Sequence, residues 1–167
     1  MNIKDFLERE DIGEVKYDEE LKNHTTYKVG GKCNVFISPY TNKKLVKLLK
    51  YLKDSNIKYR VLGNGSNVII SSEMFDGVII SLNKLNDIVI DNEEVYAGAG
   101  VSLIKLSNTC ANNNLGGLEF ASGIPASVGG AVYMNAGAYK SDISEVLVNV
   151  TFIDEKLNIV TLEKDKL

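Results

Sequence analysis

Between Gly116 and Tyr139 the chain carries one charged side chain, Glu119, and is otherwise built of glycine, alanine, serine, one asparagine and scattered apolar or aromatic residues. Its centre reads Ala121-Ser122-Gly123-Ile124-Pro125-Ala126-Ser127-Val128-Gly129-Gly130. An ordinary surface loop is more polar, so the stretch predicts a buried, extended backbone that enters a helix near Ser127, within Ser127 to Asn135. Two uses fit such a segment. A backbone bare of large side chains beside a helix N-terminus can wrap a flat ligand and set N–H groups on its phosphates or ring atoms. Alternatively, Gly129-Gly130 and Gly137 simply let helices pack closely.

A second glycine cluster, Leu62-Gly63-Asn64-Gly65-Ser66-Asn67, lies between two apolar runs, Tyr59 to Leu62 and Val68 to Ile70, that read as strands. Glycines let successive N–H groups turn inward and let a diphosphate approach without meeting a Cβ, while Ser66 and Asn67 add side-chain donors. A plain tight turn explains the same residues, since Asn-Gly is also a hairpin signal. Two common nucleotide motifs are missing. A Walker loop needs Gly-Lys-Ser/Thr opening a helix, but Ser66-Asn67 follow Gly65 and a strand is expected next. A Rossmann fingerprint needs a third glycine where Val68 stands. Gly98-Ala99-Gly100 does precede a helix, yet Leu103 occupies its third glycine position.

Around these clusters the hydrophobic periodicity outlines the elements. Residues 1–20 read as a helical segment with Ile3, Phe6 and Leu7 on one face. A strand follows at Asn34 to Ser38, then a helix capped by Thr41 or Asn42 with Leu45, Leu48, Leu49 and Leu52 at helical spacing. Val78 to Leu82 adds a strand, and the strand-helix-strand order implies a parallel pairing. Beyond it the rhythm changes to hairpins: Asp87 to Ile90 with Val95 to Ala97, and Asn149 to Asp154 with Asn158 to Leu162. A helix from about Ser102 carries Leu103, Leu106, Cys110 and Ala111. The class is α+β in two lobes joined near Asn83: residues 1–20, a small lobe 21–82 and a second lobe 83–167.

Composition removes several functions. With 167 residues, 44% hydrophobic, and a net charge of −3, the chain suits one or two small globular lobes and offers no basic surface for nucleic acid or acidic membranes. No apolar run is long enough to span a bilayer and residues 1–20 lack a signal-peptide core, which predicts a cytoplasmic protein. Cys33 and Cys110 lack metal or disulfide spacing and read as buried, inert thiols, so no metal is expected. The one histidine, His24, has no Gly-x-Ser-x-Gly elbow to serve and reads as a surface or turn residue.

The two glycine clusters, with Thr25-Thr26-Tyr27-Lys28-Val29-Gly30-Gly31 upstream, resemble in order and spacing the UDP-N-acetylenolpyruvoylglucosamine reductase family, from about Leu21 to Leu167. The resemblance implies the two-lobed FAD-binding fold shared with vanillyl-alcohol oxidase and p-cresol methylhydroxylase. It implies that Gly63, Asn64, Gly65, Ser66 and Asn67 cradle the FAD diphosphate. Gly123, Ile124, Pro125, Ser127, Val128, Gly130, Asn135, Gly137 and Ala138 would line the cofactor, and Tyr139 would face the substrate or the flavin edge. In that family NADPH reduces FAD, which passes hydride to the enolpyruvyl group of a UDP-sugar to give UDP-N-acetylmuramate. The family's catalytic arginine in Tyr-Arg, serine in Gly-Ser-Val-Phe and late glutamate have no matching motif here; Arg9 and Arg60 are the only arginines. The expectation is therefore the flavin-binding part of such a reductase, excised or truncated and inactive alone, with no catalytic residue of its own. A stand-alone flavin module and another oxidoreductase of the same fold are the alternatives. The chain departs from the family at Ala126 and Lys140, where glycine is usual. A methyl at position 126 is tolerated if φ there is negative and costs affinity if it is positive.

Overall fold

The computed structural model describes residues 2–167. They divide between Asn86 and Asp87 into two compact units, where the sequence places the join near Asn83.

The first unit opens with α1 (Ile3–Glu10), capped by the Asn2 side chain accepting the Asp5 N–H at 3.0 Å and closed by Asp11 in the left-handed region. The helix expected across residues 1–20 thus ends at Glu10, and Gly13–Glu20 is a strand, β1. Gly13 is the reason the change occurs there. An ideal Cβ at Gly13 would lie 2.1 Å from the Ser38 carbonyl oxygen, so glycine alone lets β1 start against its neighbour. That neighbour is β2 (Lys32–Pro39), antiparallel to β1.

After β2 comes α2 (Asn42–Asp54), N-capped by Thr41, whose hydroxyl accepts the Lys44 N–H. Its Leu45, Leu48, Leu49 and Leu52 are all buried, and α2 packs on β2. Full burial of leucines such as Leu48 and Leu52 stabilises by roughly 1.5–3 kcal/mol each. The chain returns in β3 (Tyr59–Leu62) and then β4 (Phe75–Ser81), both parallel, giving the sheet order β1-β2-β4-β3. The alternation within β2 and β4 buries Val35, Ile37, Val78 and Ile80 on one face. Phe36 and Ile79 point to the other, with Leu21, Cys33 and Leu62.

Val68 to Ile70 is not a strand, and Ile69 is 81% exposed. Because β4 lies beside β3 and parallel to it, residues 63–74 must carry the chain back along the sheet, and an apolar run in that crossover gains no strand partner.

The second unit starts with a hairpin, β5 (Ile88–Asp91) and β6 (Glu94–Ala97), turning through Asn92 at φ 54°. Helix α3 (Leu103–Asn112) follows, capped by Ser102. A 3-10 turn (Glu119–Gly123) leads to α4 (Val128–Tyr133), then the short strands β7 (Gly137–Ala138) and β8 (Ser141–Asp142). Helix α5 (Ile143–Val146) and a final hairpin, β9 (Asn149–Ile153) and β10 (Ile159–Glu163), complete it. Its core is Val101, Leu103, Leu106, Cys110, Phe120, Ala121, Ala131 and Ile143.

The buried, extended backbone expected over Gly116 to Tyr139 is not what forms. Phe120, Ala121, Ser127 and Ala131 anchor the stretch in the core, but Met134, Tyr133 and Tyr139 stand at the surface, the last two 88% and 91% exposed. The segment lacks charge and is still a surface. Composition cannot distinguish an interior from an apolar surface that other groups cover.

Candidate functional site

The loop at residues 63–67 is the part of the first unit best suited to an anion. Gly65 sits at φ +66°, and an ideal Cβ there would lie 2.0 Å from the His24 carbonyl oxygen, so no side chain fits. The loop is held to the preceding turn by the Thr26 N–H donating to the Gly65 carbonyl at 3.0 Å. The Thr25–Gly31 block braces that turn. The Thr25 hydroxyl donates to the Val29 carbonyl, and the Gly31 N–H to the Ser71 carbonyl at 2.7 Å. Gly31 is irreplaceable for the same reason as Gly65, since its Cβ would fall 2.2 Å from the Glu73 oxygen.

Among the described residues, the N–H groups of Gly65, Ser66 and Asn67 make no hydrogen bond within the chain. Gly63, Asn64 and Asn67 are exposed and Ser66 is half-buried. Residues 63–67 carry no charged side chain. A run of uncommitted N–H groups without a carboxylate nearby in sequence is a donor set that a phosphate can use. Each charge-assisted bond it would make is worth roughly 1.5–3 kcal/mol.

The second unit treats its donors differently. The Ser127 side chain is buried and its Oγ accepts the Gly130 N–H at 3.3 Å. The Val128 N–H donates to the Val101 carbonyl at 2.8 Å, and the Gly129 N–H to that of Ala99 at 2.9 Å. The first N–H groups of α4 are therefore committed inside the unit, and its N-terminus has none left for a phosphate. Of the two uses read for this segment in the sequence, the N–H groups of Val128, Gly129 and Gly130 serve close packing inside the unit. The Gly98-Ala99-Gly100 turn, a weak nucleotide motif in sequence, instead supplies a carbonyl that caps α4. Gly129 allows the approach, since its Cβ would meet the Ala99 Cβ at 2.9 Å.

The remaining lining candidates fall into two kinds. Gly123, with no atom within 4 Å of a notional Cβ, Pro125, exposed, and Ile124, half-buried, form an accessible rim. Asn135 and Gly137 are structural: Asn135 is left-handed at φ 43° and its Oδ1 accepts the Ser144 N–H at 2.9 Å. A Cβ at Gly137 would lie 2.7 Å from the Ser141 carbonyl oxygen. Gly130, whose Cβ would sit 3.2 Å from Ser127 Oγ, is tight without being sterically obligatory.

Tyr139 and Lys140 form the two-residue turn between β7 and β8, at φ 56° and 70°. Positive φ at both central positions is the type I′ geometry that favours glycine. The glycine usual in the resembled family at position 140 therefore has a conformational cause, and Lys140 bears the strain. Ala126, the other departure, is not among the positive-φ residues, so its methyl is tolerated. Asp142 braces the base of the turn by accepting the Ser144 N–H and hydroxyl at 2.9 and 2.6 Å. These bonds, with a smaller one from Asn135, hold its carboxyl below the usual range. The turn thus presents Tyr139 on a braced mount, beside an open hollow of about 410 Å³ lined partly by Phe120, Glu119 and Val146.

Elsewhere there is little competing chemistry. Cys33 and Cys110 are buried free thiols, and burial pushes Cys33 up to about 11. Among the described residues no cluster of three His, Cys, Asp or Glu side chains could hold a metal, and no helix is long and apolar enough to cross a membrane. A larger hollow of about 590 Å³ lies along β3, lined by Ile57 to Val61 and Phe75. The sequence reading missed how Ser71, Glu73 and His24 scaffold the loop; only the obligate glycines Gly31 and Gly65 hint at backbone running that close.

A family model described as an FAD binding domain matches residues 33–163. The chain belongs to the FAD-binding domain family. It is 42% identical over 99% of its length to the UDP-N-acetylenolpyruvoylglucosamine reductase of Clostridium tetani, and 43% identical over 92% to that of Halalkalibacterium halodurans. It covers 55% and 52% of those proteins, so the chain spans about half the length of the curated relatives it matches. Among solved structures, the UDP-N-acetylenolpyruvylglucosamine reductase of Thermus caldophilus superimposes with a TM-score of 0.74 at 31% identity, over 93% of this chain and 53% of that one. The 6-hydroxy-D-nicotine oxidase of Arthrobacter nicotinovorans, at 17% identity and TM-score 0.64 over 92% of this chain and 36% of that one, shares the fold. The α+β flavoprotein fold and the reductase resemblance both stand.

Proposed function

We propose that this chain binds FAD and is the flavin-holding part of a reductase that converts UDP-N-acetylglucosamine enolpyruvate to UDP-N-acetylmuramate with NADPH as hydride donor. The observation that carries the reading is the uncommitted N–H run of Gly65, Ser66 and Asn67 in a chain of the FAD-binding domain family. These groups, with the Ser66 hydroxyl and Asn67 amide, hold the diphosphate. Gly63 and Asn64 complete the loop. FAD, when bound, supplies hydride acceptance and donation. In the second unit Gly123, Ile124 and Pro125 form the accessible rim on the flavin side, while Ser127, Val128, Gly130, Asn135, Gly137 and Ala138 shape that rim from behind. Tyr139 stands toward the substrate. No residue here matches the family's catalytic arginine, serine or glutamate motifs, so the chain by itself holds flavin without completing turnover.

The test is titration of the chain with FAD, following the visible flavin spectrum, flavin fluorescence and thermal midpoint together, since a ligand bound only by the folded state raises its stability. Saturable binding with a perturbed flavin spectrum is expected. A chain that folds yet shows no binding at high FAD would overturn the reading.

A further inference from the structure

Asn64-Gly65 is the chain's single Asn-Gly pair, and it lies inside the loop at residues 63–67. Asn64 is exposed, so water reaches its side-chain amide. Among the described residues the Gly65 N–H makes no hydrogen bond within the chain, so no carbonyl holds that nitrogen. Gly65 also has no Cβ to crowd the nitrogen on the side of the Asn64 carboxamide. A backbone nitrogen placed this close to a carboxamide carbon can close a five-membered ring on it, an intramolecular reaction favoured by proximity.

The asparagines in other left-handed turns lack this combination. Asn56, Asn114 and Asn135 have φ of 52°, 58° and 43°. The N–H that follows each is committed: Ile57 donates to the Leu52 carbonyl, Leu115 to that of Cys110 and Ala136 to that of Ala131, at 2.8–2.9 Å. Each of those following residues also carries a side chain.

We propose that Asn64 is a deamidation site of the empty loop and that its product rejects the diphosphate. Solvent base takes the Gly65 N–H proton, and the nitrogen attacks Asn64 Cγ. The Cγ–Nδ2 bond breaks, ammonia leaves and a succinimide forms. Water then opens the ring at one carbonyl or the other, giving aspartate or isoaspartate. Nothing is oxidised or reduced: water enters and ammonia departs. The product sets a carboxylate beside the N–H groups of residues 65–67, in a loop with no other charged side chain. That carboxylate repels a phosphate and competes for the same donors. Isoaspartate also routes the main chain through the side-chain carbon and so displaces the donors. A bound diphosphate has the opposite effect, because it accepts the Gly65 N–H and ties up the attacking nitrogen. The coupling to ligand rests on the FAD reading above, whereas ring closure does not.

The chain should be aged for days at mildly alkaline pH without ligand, with FAD and with inorganic pyrophosphate, then peptide-mapped by mass spectrometry. Isoaspartate is counted with isoaspartyl methyltransferase. Loss of the amide is expected to concentrate at Asn64, with Asn56, Asn114 and Asn135 largely intact. FAD at about ten times its Kd should slow the loss about tenfold, since only the empty fraction reacts. Aged protein separated by ion exchange, and Asn64→Asp, should bind FAD roughly 10-fold or more weakly than fresh protein. An Asn64 that keeps its amide as long as the other three asparagines do would overturn the site. Ageing that saturating FAD leaves unslowed, or aged protein that binds FAD as fresh protein does, would overturn the coupling. Should FAD not bind even fresh protein, the functional reading fails by itself, and the ligand-free samples alone decide whether Asn64 is the site.

Discussion

The two glycine-rich segments look alike in sequence and do opposite things with their backbone. At residues 63–67, Gly65 lets the chain press against His24 so tightly that the N–H groups of residues 65–67 are left facing no partner in the chain. At residues 127–130, Gly129 lets α4 press against Ala99, and the N–H groups are consumed by the Val101 and Ala99 carbonyls and the Ser127 hydroxyl. One set of glycines frees donors and the other spends them. Glycine content alone therefore locates close approach, and only the hydrogen-bond inventory says which approach leaves a ligand site.

Substitutions can break this contrast. Gly65→Ala places a Cβ 2.0 Å from a carbonyl oxygen at positive φ. It should cost on the order of 3 kcal/mol or more and abolish FAD binding, read by urea denaturation and flavin fluorescence. Gly129→Ala meets Ala99 at 2.9 Å and should cost about 1–3 kcal/mol, while the Gly65 to Asn67 amides still respond to FAD. Ser127→Ala removes the cap of α4 and should cost about 1 kcal/mol in thermal or urea unfolding, without loss of phosphate affinity. If instead it weakened binding of inorganic pyrophosphate, the helix start would be a ligand site after all. Lys140→Gly relaxes a φ of 70° and should stabilise by roughly 0.5 kcal/mol net of the added freedom of the unfolded chain, seen as a higher urea midpoint.

Much of this frame is legible in the sequence. The leucine spacing of α2, its Thr41 cap and the β5-β6 and β9-β10 hairpins of the second unit follow from local rules, because each element's pattern agrees with its environment. β1 is missed because its start depends on Gly13 meeting Ser38, a contact between residues far apart in sequence. Val68 to Ile70 misleads because an apolar run in a crossover has the composition of a strand without a partner. Gly116 to Tyr139 misleads for a related reason. The sequence registers that the segment avoids charge, which holds equally for a core and for a surface that receives a ligand. For the candidate site, the tight glycine turn at 63–67 is legible in its residues, but the commitment of the α4 donors is not, since it depends on Ala99 and Val101 folding back onto residues 128–129.

The most direct test of this account is a nitrogen-15 NMR titration of the chain with FAD, repeated with inorganic pyrophosphate. Large shifts at Gly65, Ser66 and Asn67, with Val128, Gly129 and Gly130 little changed under pyrophosphate, are the predicted result. Pyrophosphate shifts centred on residues 128–130, with the 65–67 amides unmoved, would contradict it.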